Sequence, residues 1–431
     1  MSNNSNIFKN KKILIYGLGK SGISTFNFLK KYNEVFLFDD YQKKNLPSNI
    51  KKNIISQKKI DKIKFDLIIL SPGIDINKCK LKKFLHINSG IIYTDFDIFY
   101  SFNNKNTCIT VTGTNGKSTT CKLLFDVLKS QKFDVKLVGN IGYPILSAKK
   151  IKKTSIFVIE ASSYQLEYSK LFRSKYSIIT NISPDHLERH RNLNNYISAK
   201  FKLFKNQDKN SIGLVPKNNP LIQSVLKKTK FNGKIIKVNN EIDKDLLNLF
   251  DNQYFLSNSN KENLSFVIKL AKIFKIKKTN LINTVNKFKG LDYRQQIVFN
   301  KKDILVINDS KSTSYSASIE MLKNKQKIYW LIGGIPKKGD QFKLSKKFYQ
   351  NIKGYIFGIN YIKFVNDLKN KIKLKKFISL SKALDAVFQD MKNDDSQKKV
   401  ILFSPSAASF DSFKNFEERG KYFNKLITKY L

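Results

Sequence analysis

One loop, VTGTNGKSTT at 111–120, constrains the fold of this 431-residue chain more than any other stretch. The apolar run CITV leads into it and the helical pattern CKLLFDVLKS follows it, which is the strand–loop–helix order of a phosphate loop. The common phosphate loop separates a first glycine by four residues from Gly-Lys-Ser/Thr. Here that first position is Val111, and the glycine comes two residues late, at Gly113. The loop therefore predicts a nucleotide site in a parallel α/β domain, with an unusual glycine spacing.

The chemistry of this loop follows from its residue types. Backbone N–H groups of residues 114–119 would form a concave anion site at a helix N-terminus. Lys117 would reach the terminal phosphates, and the Ser118 hydroxyl would bind Mg²⁺. A fully apolar strand at 156–159 then ends at Glu160, where a second magnesium ligand is expected. A glycine turn without nucleotide and a helix-capping glutamate are the alternatives.

The N-terminal segment has the layout of a Rossmann-like domain. A short apolar run meets the glycine pattern GLGKSG at 17–22, and a second run, VFLF, ends at Asp39 and Asp40 about 20 residues later. A third run, FDLIIL, leads into the turn SPGI at 71–74. Because ligands bind at the carboxyl edge of such sheets, we expect a ligand there. A turn that only packs a helix is the alternative.

The C-terminal segment repeats one pattern three times. Apolar strands run into NDSKSTS at 308–314, GGIPKKGDQF at 333–342 and SPSAASF at 404–410. Because the ends of parallel strands meet at one sheet edge, these loops predict a third α/β domain that presents hydroxyls and lysines to an acidic substrate. Ordinary helix N-caps are the alternative for each loop.

The net charge of +47 raises the question of nucleic-acid binding. Only five of the 80 basic residues are arginine and the lysines are spread along the chain, so we expect no nucleic-acid partner. The chain has no apolar run of about 18 residues and no signal-peptide pattern, and its three cysteines are scattered. These features predict a cytoplasmic protein with no membrane partner.

The histidines do not predict a zinc site. His186 and His190 are four residues apart with Glu188 between them, which is similar to a zinc-binding helix. The zinc-protease pattern needs glutamate directly after the first histidine, where this chain has Leu187.

Seven segments, in order along the chain, resemble the Mur ligases, the ATP-dependent enzymes that build the peptidoglycan stem peptide. They are GTNGKST (113–119), GNIG (139–142), EASSYQLE (160–167), NISPDHLERH (181–190), YISAKFKLF (196–204), NDSKST (308–313) and SPSAASFDSFKNFEERG (404–420). The altered glycine spacing is that family's variant of the loop, and the last two segments are similar to the member that adds D-glutamate. The resemblance implies three α/β domains: a Rossmann-like UDP-sugar-binding domain at 1–102, a P-loop-type ATPase domain with a mostly parallel sheet at 103–292, and a Rossmann-like domain at 293–431.

The resemblance also implies roles for individual residues. ATP would be bound by Gly113, Thr114, Asn115, Gly116, Lys117, Ser118, Thr119, Asn260, Asn263, Arg294 and Asp309. UDP-N-acetylmuramoyl-L-alanine would be bound by Gly19, Ser21, Asp39, Ser71, Gly73, Asn140 and His186. D-Glutamate would be bound by Lys311, Thr313, Lys337, Ser409 and Phe416, with Lys338 as the alternative to Lys337.

The same resemblance implies two magnesium ions, bound by Ser118, Glu160, His186 and Lys200, with Lys200 present as a carbamate formed with CO₂. A carbamate replaces the lysine cation by a carboxylate-like ligand that magnesium accepts. Catalysis would depend on Lys117, Glu160, His186, Lys200 and Lys311. Phosphoryl transfer from ATP to the alanine carboxylate would give an acyl phosphate, which the amine of D-glutamate attacks.

The chain departs from the family pattern at Ser259 and Tyr293, where histidine is usual, and at Tyr41, where a basic residue is usual. The alternative functions are a sister ligase that adds another amino acid, a folylpolyglutamate synthase, and a basic nucleic-acid-binding ATPase. We expect a monomer that acts on small-molecule substrates.

Overall fold

The chain folds into three β-sheets, and helices alternate with strands along the sequence. The computed structural model describes residues 6–41, 46–239, 242–255, 257–301, 303–323, 326–337, 339–396 and 398–431, so Lys338 lies outside the described residues. The chain divides into two compact units, formed by residues 1–250 with 262–285 and by residues 251–261 with 286–431. The first unit contains two of the sheets, and the second unit contains the third. The α/β class and the mostly parallel sheets predicted from the sequence are confirmed.

The N-terminal sheet has four parallel strands in the order β2-β1-β3-β4. Its strands are β1 (Lys12–Tyr16), β2 (Glu34–Phe38), β3 (Leu67–Leu70) and β4 (Ile92–Tyr93). Its helices are α1 (Lys20–Leu29), α2 (Ser48–Lys51), α3 (Gln57–Ile60), α4 (Lys82–Ile87) and α5 (Asp95–Asn103). β1 and β3 are almost continuously apolar because both faces of a parallel sheet are buried. The strand order places the glycine turn after β1 beside the ends of β2 and β3.

The central sheet has six parallel strands in the order β10-β9-β8-β5-β7-β6. Its strands are β5 (Thr107–Thr112), β6 (Val135–Gly139), β7 (Ile156–Glu160), β8 (Tyr176–Ile179), β9 (Ile212–Pro216) and β10 (Lys234–Val238). The helices are α6 (Lys117–Ser130), α7 (Ser163–Glu167), α8 (Leu187–His190), α9 (Leu193–Lys205), α10 (Pro220–Lys228), α11 (Lys244–Leu247), α12 (Asn258–Ile273) and α13 (Lys278–Lys287). Because β5 pairs with both β7 and β8, the loop after β5 opens between the ends of two neighbouring strands.

The two sheets of the first unit share a continuous apolar core. Phe99 of α5 packs edge-to-face against Phe157 of β7, with the ring centroids 4.8 Å apart. The buried carboxylate of Asp97 accepts hydrogen bonds from the backbone N–H groups of residues 170–172, at 2.9, 2.7 and 3.1 Å. Several N–H donors on one buried carboxylate form strong, directional bonds, so they fix α5 against the central domain.

The sheet of the second unit has six strands in the order β11-β12-β16-β13-β14-β15, with β11 antiparallel to β12 and the others parallel. Its strands are β11 (Gln296–Lys301), β12 (Ile304–Asn308), β13 (Lys327–Gly333), β14 (Ile352–Phe357), β15 (Lys373–Phe377) and β16 (Lys399–Phe403). Its helices are α14 (Tyr315–Leu322), α15 (Tyr361–Leu368), α16 (Leu380–Lys392) and α17 (Phe416–Ile427). Because β12, β16 and β13 are neighbours, the loops that follow them meet at one sheet edge, as the sequence predicts.

The remaining helical segments are short. They are 3₁₀ helices at Ser89–Ile91, Ile145–Ser147, Gln253–Phe255 and Lys346–Asn351. Within the described ranges, no helix combines the length and the apolar composition that crossing a bilayer requires.

Candidate active site

The loop between β5 and α6 is built around two glycines with positive φ. Gly113 has a φ of +148°, and a Cβ there would lie 2.0 Å from Thr180 Oγ1. Gly116 has a φ of +82° and is the N-cap of α6, and a Cβ there would lie 2.1 Å from Asn263 Oδ1. Residues other than glycine fit neither the backbone conformation nor the space. The shifted glycine spacing is therefore a requirement of this loop's own conformation.

Two lysines converge on one backbone carbonyl of this loop. Lys117 Nζ, from the start of α6, donates hydrogen bonds to Gly113 O at 3.0 Å and to Thr114 O at 2.8 Å. Lys200 Nζ, from α9, donates to Gly113 O at 2.7 Å. Lys200 is 1% exposed, and this burial, together with the charge of Lys117, holds its pKa well below the ordinary value for lysine. The neutral amine is therefore populated at lower pH than in an exposed lysine.

Glu160 lies at the carboxyl end of β7, beside the strand that leads into the loop. Its Oε1 accepts a hydrogen bond from Asn140 Nδ2 at 2.6 Å. Its Oε2 is buried and has no hydrogen-bond partner among the described residues. A buried carboxylate oxygen without a donor is costly unless a cation binds it. The helix-capping alternative is wrong, because Ser162 is the N-cap of α7 and accepts a hydrogen bond from Gln165 N.

An aromatic cluster connects His186 with the loop. His186 is the N-cap of α8, and its ring centroid lies 5.1 Å from that of Tyr164 and 6.5 Å from that of Tyr196. Tyr196 precedes Lys200 by one turn of α9, and its hydroxyl lies 3.0 Å from Thr114 Oγ1. Tyr196 is buried and lies against both Thr114 of the loop and the ring of His186, although its sequence context did not indicate a site role. Its i, i+4 spacing from Lys200 was the available signal.

Two oxygen groups near the loop, on Glu160 and Ser118, have the chemistry that magnesium ligands require. In the chain as described, no three His, Cys, Asp or Glu side chains converge as a ligand set. Mg²⁺ commonly takes one or two carboxylates and completes its shell with waters and substrate phosphates. The unpartnered oxygen of Glu160 and the buried hydroxyl of Ser118 at the start of α6 fit an ion held in this way.

The residues of the N-terminal domain that are predicted to bind the UDP-sugar lie at the carboxyl edge of its sheet, whereas Asn140 follows β6 and His186 precedes α8 in the central domain. Ser71, after β3, donates to a backbone carbonyl of the glycine turn at 2.6 Å. Asp39, after β2, accepts a hydrogen bond from a backbone N–H of the same turn, also at 2.6 Å. A Cβ at Gly19 or Gly73 would meet no described atom within 4 Å. The three loops are thus hydrogen-bonded to one another, and open space lies beside both glycines.

In the second unit, Asn260, Arg294 and Asp309 come from separate segments. Asn260 Nδ2 donates to Gln295 Oε1 at 3.0 Å, and Gln295 N donates to Asp309 Oδ1 at 3.1 Å. Gln295 therefore connects Asn260 with Asp309, and Arg294 precedes it in the chain. Asp309 also accepts from Ser404 Oγ at 3.0 Å, yet burial raises its pKa to about 7.

The residues predicted to bind D-glutamate lie on the loops after β12, β13 and β16 and at the start of α17. Lys311 Nζ lies 4.1 Å from the ring centroid of Phe416, which is within the range of a cation–π contact. Ser409 is buried, whereas Thr313 and Lys337 are exposed. The edge therefore presents both ammonium groups and hydroxyls.

Known proteins resemble the chain along its full length. The family model of the Mur ligase MurD-like N-terminal domain matches residues 11–93, and that of the Mur ligase middle domain matches residues 111–285. The UDP-N-acetylmuramoylalanine–D-glutamate ligase of Rickettsia prowazekii (strain Madrid E) is 34% identical over 447 residues, covering 99% of this chain and 99% of that protein. The chain belongs to the Mur ligase family. Mur ligases are ATP-dependent, amide-forming enzymes of peptidoglycan synthesis, so the protein is a ligase that forms carbon–nitrogen bonds.

Solved structures of other Mur ligases share the fold. UDP-N-acetylmuramate–alanine ligase MurC of Thermotoga maritima aligns over 98% of this chain and 100% of its own, with a TM-score of 0.57 and 19% identity. The MurF ligase of Thermotoga maritima, solved in complex with ADP, aligns over 99% of this chain and 100% of its own, with a TM-score of 0.54 and 14% identity. At these identities the likeness concerns the fold.

In this Mur ligase, Arg189 connects the two sheets of the first unit, and the sequence analysis gave it no role. Its Nε and Nη2 donate to Glu167 Oε2 at 3.1 and 2.8 Å, and Nη2 also donates to Ile74 O at 2.7 Å. Ile74 ends the SPGI turn of the N-terminal sheet, and Arg189 follows His186 by three residues. The guanidinium therefore fixes that turn relative to the segment of His186.

Asp95, at the start of α5, lies behind the glycine turn of the N-terminal sheet. It is 3% exposed, and hydrogen bonding from Ser21 lowers its pKa by less than burial raises it. Its Oδ1 has no hydrogen-bond partner in the described part of the chain. Burial, reinforced by the carboxylate of Asp97, raises the pKa of Asp95 to about 7. The fold therefore favours the protonated carboxyl.

We expect the contribution of Asp95 to stability to fall as the pH rises through 7. Because its folded pKa lies above its unfolded value, the contribution is complete below pH of about 4 and is lost above the folded pKa. Between pH 5.5 and 8.5, a folded pKa of about 7 implies a loss of roughly 2 kcal/mol. Asp95→Asn has a similar size and stays neutral, so urea unfolding should show its stability relative to wild type rising from pH 5.5 to pH 8.5.

The control for this measurement is Asp61→Asn, at an exposed position of the same domain. We expect its stability relative to wild type to be the same at both pH values. An Asp95→Asn difference that does not change with pH would contradict the raised pKa of Asp95.

Proposed function

We propose that this ligase adds D-glutamate to UDP-N-acetylmuramoyl-L-alanine and converts ATP to ADP and phosphate. The full-length similarity to a D-glutamate ligase supports the choice of substrates. The lysines and hydroxyls at the edge of the second unit's sheet support it too, because D-glutamate carries two carboxylates. The observation that carries the proposal is the convergence of Lys117 and the buried Lys200 on the phosphate loop, beside the unpartnered oxygen of Glu160.

The phosphate loop would hold the phosphates of ATP. Thr114 N and Asn115 N donate to Asn181 at 2.9 Å, so the anion contacts would come chiefly from the backbone N–H groups at the N-terminus of α6. The Lys117 ammonium, already hydrogen-bonded to loop carbonyls, would move to the phosphate oxygens and offset their charge. For the rest of the nucleotide we propose contacts with Asn260, Asn263, Arg294 and Asp309.

The reaction then has two steps. An oxygen of the alanine carboxylate attacks the γ-phosphorus of ATP, which forms an acyl phosphate and releases ADP. The amine of D-glutamate attacks the acyl carbon, and the tetrahedral intermediate collapses with loss of phosphate and a proton. Asn140 and His186 would orient the first substrate, and Lys311 would hold a carboxylate of the second. Because the nucleophiles come from the substrates, the chain needs no nucleophilic side chain.

We propose that Ser118, Glu160, His186 and Lys200 hold two magnesium ions, with Lys200 as a carbamate. When bound, these ions supply charge neutralisation at the phosphoryl oxygens. Carbamate formation requires the neutral amine of Lys200, which burial and the charge of Lys117 favour. The carbamate would replace a cation that repels metal by oxygen atoms that attract it.

We also propose that residues 1–102, 103–292 and 293–431 form the UDP-sugar-binding, ATP-binding and D-glutamate-binding domains. Each range contains one of the three sheets, which supports this division. We propose that the enzyme acts as a monomer in the cytoplasm, on small molecules and without a nucleic-acid or membrane partner.

Phosphate release from ATP with Mg²⁺ and UDP-N-acetylmuramoyl-L-alanine tests the function. We expect release with D-glutamate and only background release with L-glutamate, L-lysine, a folate or no amino acid. Release that is indifferent to the amino acid would contradict the proposed role of the second unit. Release that depends on added DNA would favour the nucleic-acid-binding ATPase instead.

A further inference from the structure

Arg419, the fourth residue of α17, is completely buried and has no role in the steps described above. Its guanidinium donates hydrogen bonds to one hydroxyl and three backbone carbonyls: Ser310 Oγ from Nε at 3.1 Å, Ser310 O and Ala407 O from Nη2 at 2.8 and 2.9 Å, and Gly333 O from Nη1 at 3.3 Å. Burial lowers its pKa to about 10, so it remains a cation at neutral pH. A buried cation held by carbonyls fixes the position of each carbonyl through a rigid, planar fork.

The three carbonyls belong to the three loops at the carboxyl edge of the sheet. Ser310 follows β12, Gly333 ends β13 and Ala407 follows β16. Each loop also carries residues predicted to bind D-glutamate, which are Lys311 and Thr313 after β12, Lys337 after β13 and Ser409 after β16. The guanidinium of Arg419 therefore bonds all three loops of the proposed D-glutamate site.

Other contacts connect two of these loops without Arg419. Backbone hydrogen bonds between Ile335 and Ala408, at 2.8 and 2.9 Å, join the loops after β13 and β16. Ser310 directly precedes Lys311 in the loop after β12. The hydrogen bonds from Arg419 to Ser310 connect this loop with the loops after β13 and β16. Ser404 Oγ also donates to Asp309 Oδ2 at 3.0 Å, so the loop after β12 has a second connection to the loop after β16. The guanidinium adds bonds to all three loops, and it holds the first of them at Ser310, the residue next to Lys311.

The sequence leaves room for this guanidinium at Gly334. A Cβ there would lie 2.9 Å from Arg419 Nη1 and 2.3 Å from Ala408 O. Gly334 also has a φ of +118°, which side-chain-bearing residues rarely adopt. The glycine of the loop and the arginine of α17 therefore form one packing unit.

We propose that Arg419 is a positioning residue for D-glutamate, which sets the place of Lys311 relative to the loops of Lys337 and Ser409. It does so through Ser310 and without contact to the substrate. This inference rests on the proposed D-glutamate ligation.

Arg419→Lys tests the role of the fork, because it keeps the cation but loses the planar donor set. We expect the KM for D-glutamate to rise by about 10-fold or more, since small displacements of binding groups have large effects on a reaction. The KM values for ATP and the UDP-sugar should change less than about twofold. Acyl phosphate trapped with hydroxylamine in the absence of D-glutamate should form at the wild-type rate.

Ser310→Ala is a milder second variant, which removes the acceptor of the Nε hydrogen bond and the hydrogen bond that Ser310 Oγ donates to Phe416 O at 2.9 Å. We expect a smaller increase in the KM for D-glutamate, with the same selectivity. If Arg419→Lys does not fold, the KM of Ser310→Ala for D-glutamate alone tests the positioning role. An unchanged KM for D-glutamate in the folded variants, or an equal loss for all three substrates, would overturn the positioning role.

Asn424→Ala is the matched control on the same helix. Asn424 Oδ1 accepts a hydrogen bond from Asn308 Nδ2 at 2.7 Å, so it anchors α17 to the last residue of β12 by a bond that does not involve Arg419. We expect a lower Tm and no selective change in the KM for D-glutamate. Wild type is measured first in the same assay. If it does not use D-glutamate, the proposed function fails and this inference fails with it. If wild type is active and the variants have the same KM for D-glutamate, only the role of Arg419 is contradicted.

Discussion

Arginine in place of Lys200 is expected to lower kcat with D-glutamate by at least about 100-fold. Loss of a residue that only supports a metal ligand already costs about 10- to 100-fold, and Lys200 is proposed as a ligand itself. Arginine keeps the charge and the length, but it stays protonated and cannot form a carbamate. The wild-type amine, in contrast, is buried and has a pKa well below the ordinary value for lysine, so it can react with CO₂.

The measurement compares phosphate release by wild type and Lys200→Arg in CO₂-depleted buffer, before and after addition of bicarbonate. Wild-type activity should rise with bicarbonate, and the activity of the variant should not. Lys205→Arg, at an exposed position in the last turn of the same helix, should retain both the wild-type kcat and the response to bicarbonate. Equal activity of wild type and Lys200→Arg would exclude the carbamate.

The features that the sequence predicted best are those that depend on neighbouring residues. The glycines of the phosphate loop are required by the local backbone, so their pattern could be read without any knowledge of the fold. The segment at 196–204 also shows the apolar spacing of a helix, and Tyr196, Ala199 and Leu203 on that spacing are buried in α9. Lys200 is buried next to these residues, and its Nζ donates to Gly113 O, 87 residues earlier in the chain. Spacing alone could not distinguish it from the other lysines, and only the family resemblance did.

The contacts of Arg189 and Arg419 could not be predicted from the sequence either. Arg189 bonds a carbonyl 115 residues away, and Arg419 bonds a serine 109 residues away. Each contact depends on how strands are ordered in a sheet or how two sheets pack, and neither arrangement can be read from local periodicity. Composition gave only a weak signal, because arginine is scarce, at five of 80 basic residues, but Arg173 and Arg191 among those five are exposed.

Methionine in place of Lys117 is expected to lower kcat/KM for ATP by about 100- to 1000-fold, the usual effect of removing one charged or polar group that stabilises the transition state. Methionine has a similar length and removes the charge. It also loses the hydrogen bonds of Nζ to Gly113 O and Thr114 O, which place the ammonium over the loop. The developing charge on the transferred phosphoryl group would then be offset less completely. Phosphate release as a function of ATP concentration measures this effect.

Lys117→Met should also raise the bicarbonate concentration that gives half-maximal activity. The charge of Lys117 helps to lower the pKa of Lys200, so its removal raises that pKa and leaves less neutral amine to react with CO₂. Loss of the same charge also destabilises the anionic carbamate, so both effects have the same sign. Lys122→Met, on the same helix, removes an ion pair with Asp126 and a contact of the ammonium with the Phe125 ring, and should change neither quantity more than about twofold. A Lys117→Met enzyme with an unchanged bicarbonate requirement would mean that the two lysines, although both bond Gly113 O, are not coupled electrostatically.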